Sequence, residues 1–377
     1  MSWKNHIINC EKCLSENKLS NPEKYDKMLD SIKENKLDIE NIVFAGGGMR
    51  CVGYLGAIQV LEELNLLKNI KRFAGTSGGS IFAMLCSMNF TVNDMFTFAS
   101  QNQKKYLDRR CVFLNWWYNL FYNNFGIYRG KVLETEIRNI IADKFKKDFP
   151  SLNNIIDPTF KDLFDQYEKD LIIVSTNLST LSAKYFSHKL TPDMPVYLAI
   201  RASVSIPGFF ESVVYNGQRY IDGGMSENYP LDVFLCSNKF IDLAEDTFDK
   251  TIGYVLLSSN ISIKKENDYY EIESKTSTQI NSSLDFATSI IDFVSTQDFE
   301  DEIALINTVK KDGFFDCTIS AYTPCIFTSD FNATIDVKLD TIAIFKYLTI
   351  EFLYNKIQKL KNDNSEQKEN IELEGKN

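Results

Sequence analysis

Histidine is nearly absent from this sequence: His6 and His188 are the only two in 377 residues. A hydrolase triad in the chain order serine, acid, histidine therefore has nothing to close on beyond residue 188. Cysteine is sparse and scattered, at positions 10, 13, 51, 86, 111, 236, 317 and 325. Only Cys10 and Cys13 stand at a metal-like spacing, and no second Cys or His pair lies nearby in sequence to complete four ligands. All eight read as ordinary thiols of a reducing compartment. Long apolar runs are missing as well. The most apolar C-terminal stretch, Thr341–Tyr354, carries Lys346 and Glu351 and is too short to cross a bilayer. The first residues, Met1-Ser2-Trp3-Lys4-Asn5-His6, run into polar, charged sequence rather than an apolar signal segment. Basic residues are in deficit, 41 against 51 acidic for a net charge of −10. That balance argues against nucleic acid as the main partner and against whole-molecule attraction to anionic membranes. The expectation is a soluble, cytoplasmic or intracellular protein that touches membranes locally and transiently.

What is present suffices for a large core. The chain is 44% hydrophobic and 24% charged, so no disulfide or metal staple is required. Residues 1–38 are polar with broken helical patterning and read as a helical N-terminal extension. Residues 361–377 are charged and of low complexity, and read as a disordered tail. Between them, short apolar runs alternate with amphipathic segments. Ile42–Ala45, Ile70–Ala74, Leu171–Thr176 and Ile252–Leu257 predict buried strands. Leu133, Ile137, Ile140, Ile141 and Phe145 keep helical spacing, as do Ile81, Met84, Leu85 and Met88. This alternation predicts a single catalytic domain over 39–360, of α/β class with a largely parallel central sheet.

Three motifs carry chemistry. Gly75-Thr76-Ser77-Gly78-Gly79 falls between a predicted strand and a predicted helix. A serine on such a turn is exposed at the sheet's carboxyl edge, with a helix N-terminus behind it to favour developing negative charge. Gly46-Gly47-Gly48-Met49-Arg50 directly follows the first strand, and its bare backbone offers N–H groups to an oxyanion. A phosphate loop is the rival reading, but G-x-G-x-x-G fails at Cys51 and the Walker pattern fails at Tyr54. Tyr220-Ile221-Asp222-Gly223-Gly224 places an acid before two glycines. With no imidazole after Asp222, a Ser77–Asp222 dyad, in which the carboxylate takes the serine proton, is the consistent solution. A triad in the order Ser77, His188, Asp222 stays open by order alone, although His188 sits in a polar, turn-like stretch that suits a structural or surface role.

Together with Thr159-Phe160-Lys161-Asp162-Leu163, the block Ala199–Phe210 and Asn228-Tyr229-Pro230, these motifs resemble the patatin-like phospholipase family, in the family's order over about residues 40–235. The resemblance implies a three-layer α/β/α fold and lipid acyl hydrolysis, of the phospholipase A type, without metal or cofactor. Its catalytic pair is carried onto Ser77 and Asp222, and its oxyanion hole onto the backbone of Gly46, Gly47 and Gly48. Arg50, Gly75, Gly78, Gly79, Gly223 and Gly224 fall in supporting positions, with Arg50 fixing the loop or offsetting charge. The substrate implied is a phospholipid or another acyl-ester lipid, and an activator or partner protein stays open. One departure is Cys51, where the family usually has glycine. A lipid-binding or scaffold protein that kept the fold and lost turnover is the non-catalytic alternative. Residues 112–122, with Trp116 and Trp117, are dense in aromatics and read equally as an interfacial patch or as core. The apolar positions Phe345, Leu348, Phe352, Leu353, Ile357 and Leu360 predict a C-terminal amphipathic helix that caps the core.

Overall fold

The computed structural model describes residues 4, 6, 8, 10–19, 22–108, 125–234, 248–257, 261–266, 269–274 and 316–374. Two helices come first, α1 (Glu11–Glu16) and α2 (Pro22–Lys33). They are followed by β1 (Asn41–Phe44), α3 (Tyr54–Glu63), β2 (Arg72–Thr76), α4 (Gly78–Ser87) and α5 (Val92–Ser100). Next come β3 (Gly126–Tyr128), α6 (Lys131–Asp148), α7 (Phe160–Tyr167), β4 (Asp170–Asn177) and β5 (Ser182–Phe186). After α8 (Val196–Ser203) stand the short strands β6 (Gly208–Phe210), β7 (Val213–Tyr215) and β8 (Gln218–Asp222). The chain closes with β9 (Thr251–Leu257), the pair β10 (Ile261–Glu266) and β11 (Tyr269–Ser274), β12 (Thr318–Tyr322) and the long α9 (Ile335–Glu374).

The central sheet runs β12-β9-β1-β2-β4-β8-β7, with β5 also on β4. Its first five strands are parallel, while β8, β7 and β5 run against their neighbours. β1 and β9 are buried along their whole length, which is why they read as unbroken apolar runs. Alternate residues nevertheless serve different cores. Ile42 and Phe44 join the larger core, where the described helices bury their apolar side chains. Val43 and Ala45 join a second core with Tyr229, Leu231, Val233 and Phe234. Both faces are thus covered, as a layered α/β fold requires. Capping boxes start α5 at Thr91 with Asp94 and α7 at Thr159 with Asp162, which accounts for the Thr159–Leu163 stretch in structural terms.

The N-terminal helices are built into this core. Cys13, Tyr25 and Ile32 are buried in it, and Tyr25 stacks on Tyr347 of α9 at 4.6 Å between centroids. At the other end of the chain, α9 runs past residue 361 and continues through Glu374. Its early turns are held by Phe345, Leu353 and Ile357, all buried. Lys, Glu and Gln, which dominate the tail, extend an already nucleated helix at little cost. Low apolar content predicts that the tail does not pack; it does not predict that the tail is not helical. No helix among the described residues is long and apolar enough to cross a membrane.

α3 and α9 meet at backbone distance. A Cβ on Gly56 would lie 1.8 Å from the Ile342 carbonyl oxygen and 2.7 Å from the Lys346 nitrogen. Neither obstacle is a side chain that can rotate away. Gly56→Ala should therefore destabilise the protein by about 1–3 kcal/mol or more, read as a lower urea midpoint at unchanged m. Leu360→Ala, at a 47% exposed position, should stay within about 0.5 kcal/mol. Equal midpoints for Gly56→Ala and wild type would mean that the helices have room to separate.

Candidate active site

The site is set by how β4 shares its edges. Along one edge, residues Asp170–Val174 pair with Arg72–Thr76 of β2, and residues Ser175–Asn177 pair with Tyr220–Asp222 of β8. β5 occupies the other edge, from Ile173 to Asn177. β2 and β8 thus lie end to end beside one strand, approaching from opposite directions. Thr76 stands opposite Val174 and Asp222 opposite Ser175. The residue after Thr76 and the last residue of β8 are forced together.

That residue is Ser77. Its backbone has φ +48° and ψ −129°, a left-handed conformation that is uncommon without glycine and typical of functional turns. The strain is held by partners: the Ser77 amide donates to Ser203 Oγ at 2.8 Å, and Ser203 Oγ donates to the Val174 carbonyl. Gly75 and Gly79 let the turn close, since a Cβ on Gly79 would lie 2.3 Å from the Phe44 carbonyl. Ser77 directly precedes α4, and no side chain caps the helix, so the positive end of the helix dipole faces the serine.

Ser77 Oγ donates to Asp222 Oδ2 at 2.7 Å, and the Gly224 amide donates to Asp222 Oδ1 at 2.9 Å. The Asp222 amide donates to the Ser205 carbonyl at 2.9 Å, and Thr176 Oγ1 donates to the Asp222 carbonyl at 2.8 Å. The carboxylate is 1% exposed. Burial pushes its pKa up to about 7, against the two hydrogen bonds that pull it down.

The glycine loop divides its roles. The Gly46 amide donates to the Asn228 carbonyl at 3.0 Å, so it is not free to meet an oxyanion. Among the described residues, no acceptor is found for the Gly47 or Gly48 amide. Gly48 has φ +56°, and a Cβ there would lie 2.3 Å from the Thr328 carbonyl; that carbonyl accepts from the Met49 amide at 3.0 Å. Arg50 is buried, with its Nε 3.4 Å from the Gly47 carbonyl, so it braces the loop from inside. Cys51 is buried beside Gly78. Burial pushes its thiol up to about 12, which keeps it neutral and unreactive.

The two other polar candidates fall elsewhere. His188 Nδ1 lies 2.9 Å from Asp170 Oδ1, and its ring stacks on Phe164 at 3.7 Å between centroids. Asp170 begins β4, five residues before the partner of Asp222, or roughly 16 Å at the usual rise per residue. His188 is thus at the wrong end of the sheet for a triad. Burial pushes its pKa down, against the pull of the Asp170 charge. Trp116 and Trp117 lie outside the described residues. Sequence reasoning assigned no role to Ser203, Thr176, Asn228 or Thr328, which hold the site from behind. Ser203 and Asn228 stood within blocks already singled out, but nothing in a serine or asparagine alone marks it as a brace.

An apolar cavity of about 100 Å³ adjoins the serine, walled by Ile81, Phe82, Leu133, Ile206, Phe210 and Phe331. Ala99 and Gln103 also line it, and the buried Nζ of Lys338 holds both, donating to Gln103 Oε1 at 2.6 Å and to the Ala99 carbonyl at 3.1 Å.

Known proteins resemble this chain in sequence and in fold. The family model for patatin-like phospholipase matches residues 42–235. Protein R571 of Acanthamoeba polyphaga mimivirus is 31% identical over 259 residues, 68% of this chain and 76% of that protein. The probable lipid hydrolase 463L of invertebrate iridescent virus 6 is 30% identical over 199 residues, 52% of this chain and 62% of that protein. Among solved structures, VipD from Legionella pneumophila superposes with a TM-score of 0.57 at 14% identity, covering 85% of this chain and 67% of that one; the likeness is one of fold. The strand-edge junction, the strained serine turn and the glycine loop all fall within or beside the matched region, and the chain belongs to the patatin-like phospholipase family.

Proposed function

We propose that this protein is a lipid acyl hydrolase of the phospholipase A type that cleaves carboxylic esters through a Ser77–Asp222 dyad. The observation that carries the proposal is the 2.7 Å hydrogen bond from a conformationally strained Ser77 to a buried Asp222. Asp222 takes the Ser77 proton as Oγ attacks the ester carbonyl. The Gly47 and Gly48 amides receive the oxyanion, with the N-terminus of α4 adding its dipole. The alcohol leaves with the proton held by Asp222. Water, deprotonated by the same carboxylate, then attacks the acyl-serine, and the free acid departs. The apolar cavity beside Ser77 suits an acyl chain, and the likeness to a probable lipid hydrolase supports a lipid substrate. Phospholipid is met at a bilayer, so peripheral membrane contact belongs to the same proposal, with Trp116 and Trp117 as the candidate interfacial residues.

Ser77→Ala should abolish fluorophosphonate labelling and lower fatty-acid release from phospholipid vesicles by roughly 10⁴-fold or more. Asp222→Asn should lower turnover comparably in folded protein, while His188→Ala should leave it largely intact. Vesicle hydrolysis that survives Ser77→Ala would sink the mechanism; well-folded wild type with neither labelling nor release would favour a non-catalytic lipid-binding role. Replacing both Trp116 and Trp117 with Ala should weaken vesicle binding more than hydrolysis of a soluble ester, and equal losses would point to core packing instead.

The Asp222 carboxyl gives two pH readouts. As a base it must be ionised, so kcat/KM on a soluble ester should rise with pH up to about 7 and then level off. Its folded-state pKa is raised above the ordinary value near 3.9. The associated stability is therefore fully present below about 3.9 and is lost as pH rises through about 7. Asp222→Asn should be more stable than wild type at pH 8, by on the order of 3–4 kcal/mol at most, with the difference shrinking toward pH 4. A stability difference independent of pH would show that Asp222 titrates normally.

A further inference from the structure

Cys10 and Cys13 find their missing partner across the whole length of the chain. Cys10 Sγ lies 2.8 Å from Cys325 Sγ, and Cys13 Sγ lies 3.5 Å from it. The three sulfurs all fall within 4.8 Å of one another, with Cys13 buried and the other two partly so. All three are free thiols, and none belongs to the hydrolytic site. We propose that Cys10, Cys13 and Cys325 form a structural site for a thiophilic metal ion, with Zn²⁺ as the expected occupant.

Three features support a metal rather than chance proximity. First, Cys10 is the N-cap of α1 and Cys13 lies in its first turn, so the Cys-x-x-Cys spacing turns both sulfurs toward one point, as in zinc sites with short ligand spacings. Second, the meeting of α1 with the region of Cys325 is fixed independently of sulfur. Asn17 donates to the carbonyls of Cys13 and Tyr322 and accepts from the Tyr322 amide, all at 2.8–2.9 Å. Third, the number of thiols is three. A disulfide would take two and leave the third in place, whereas a soft cation uses all of them. Zn–S bonds of about 2.3 Å at the tetrahedral angle put sulfurs roughly 3.8 Å apart. The observed separations, 2.8 and 3.5 Å to Cys325 and all within 4.8 Å, bracket that spacing. Among the described residues, no fourth Cys, His, Asp or Glu joins the group, and the proposal rests on the three thiolates alone. Loading converts three thiols to thiolates and releases three protons to solvent, with no change of oxidation state.

The consequence reaches the active site without any part in the chemistry. Three residues beyond Cys325, the Thr328 carbonyl holds the Met49 amide of the glycine loop at 3.0 Å. Phe331 walls the cavity beside Ser77 and stacks on Phe209 at 5.5 Å. A metal at the three cysteines would fasten that segment to α1, joining residues 315 positions apart.

The test uses the full chain, fully reduced and titrated with Co²⁺ under anaerobic conditions. One equivalent should bind with a thiolate-to-cobalt charge-transfer band, and Zn²⁺ should displace it. The band should be lost in Cys10→Ser and in Cys325→Ser, and should persist in Cys317→Ser, whose sulfur lies beside Thr318 instead. Zn²⁺ should raise the Tm of wild type and Cys317→Ser but not of Cys325→Ser. Circular dichroism shows whether each variant folds, and the wild-type stoichiometry stands without them. Folded, reduced wild type that gives no thiolate band would overturn the proposal, as would an undiminished band in Cys325→Ser. Oxidation of Cys10 and Cys325 to a disulfide in a protein that takes up no metal when reduced would also overturn it, making the cluster a redox pair.

Discussion

The site rests on one constraint: two strands of opposite direction must share a single edge of β4. A parallel strand delivers its carboxyl end to the top of the sheet, and β2 brings Ser77 there. An acid on another parallel strand would arrive beside the serine only across the spacing of a neighbouring strand. Because β8 runs antiparallel and begins to pair where β2 stops, Asp222 comes in along the same line as Ser77. A slip of one residue in the β4–β8 pairing would send Asp222 to the opposite face. The register is therefore pinned by side chains as well as by the ladder: Ser175 Oγ binds the Ile221 carbonyl and Thr176 Oγ1 binds the Asp222 carbonyl.

The loops around this junction are held in the same way, by buried polar groups that face backbone. Asn228 joins the Asp222 turn to the glycine loop, accepting from the Gly46 amide while its Nδ2 lies 3.4 Å from the Gly46 carbonyl. Arg201 is 2% exposed; its Nη2 donates to the carbonyls of Arg129 and Glu211, and its Nη1 donates to Ser205 Oγ. The Ser205 carbonyl then receives the Asp222 amide. Such groups are costly to bury unless satisfied. Their convergence behind Ser77 and Asp222 is what keeps a strained serine and a desolvated acid in place.

Much of this was legible in the sequence, for identifiable reasons. Buried parallel strands have no solvent face, so Ile42–Ala45 and Ile252–Leu257 appear as plain apolar runs. Gly75 to Gly79 declare a turn because only small residues fit between Phe44 and α4. The pairing of Ser77 with Asp222 followed from motif order and the shortage of histidine. Partners made by tertiary register were not legible. Nothing local reveals that the Gly46 amide meets Asn228, or that Ser203 holds the amide of Ser77. Cys325 lies more than 300 positions from the Cys-x-x-Cys it completes, beyond any spacing rule. The run of α9 past residue 361 was not legible for a different reason: charge density measures the lack of packing, and a helix that starts on a packed segment can outrun it.

In the proposed mechanism, the near absence of histidine and the burial of Asp222 are two sides of one solution. An ordinary aspartate, with a pKa near 3.9, is ionised at neutral pH but holds a proton too weakly to take one from a serine. General-base catalysis favours a pKa close to the working pH, which imidazole has by nature and a carboxylate must acquire. Here burial supplies it, raising Asp222 to about 7 against the pull of Ser77 and the Gly224 amide. Each further donor to the carboxylate would steady it and weaken it as a base, so the two oxygens accept one bond each from Ser77 and Gly224. The free energy that destabilises the ionised carboxylate in the fold is the same free energy that strengthens it as a base. A single buried acid can therefore stand in for the histidine of a triad only in a scaffold rigid enough to tolerate it, and the hydrogen-bonded polar groups behind β4 and β8 provide that rigidity.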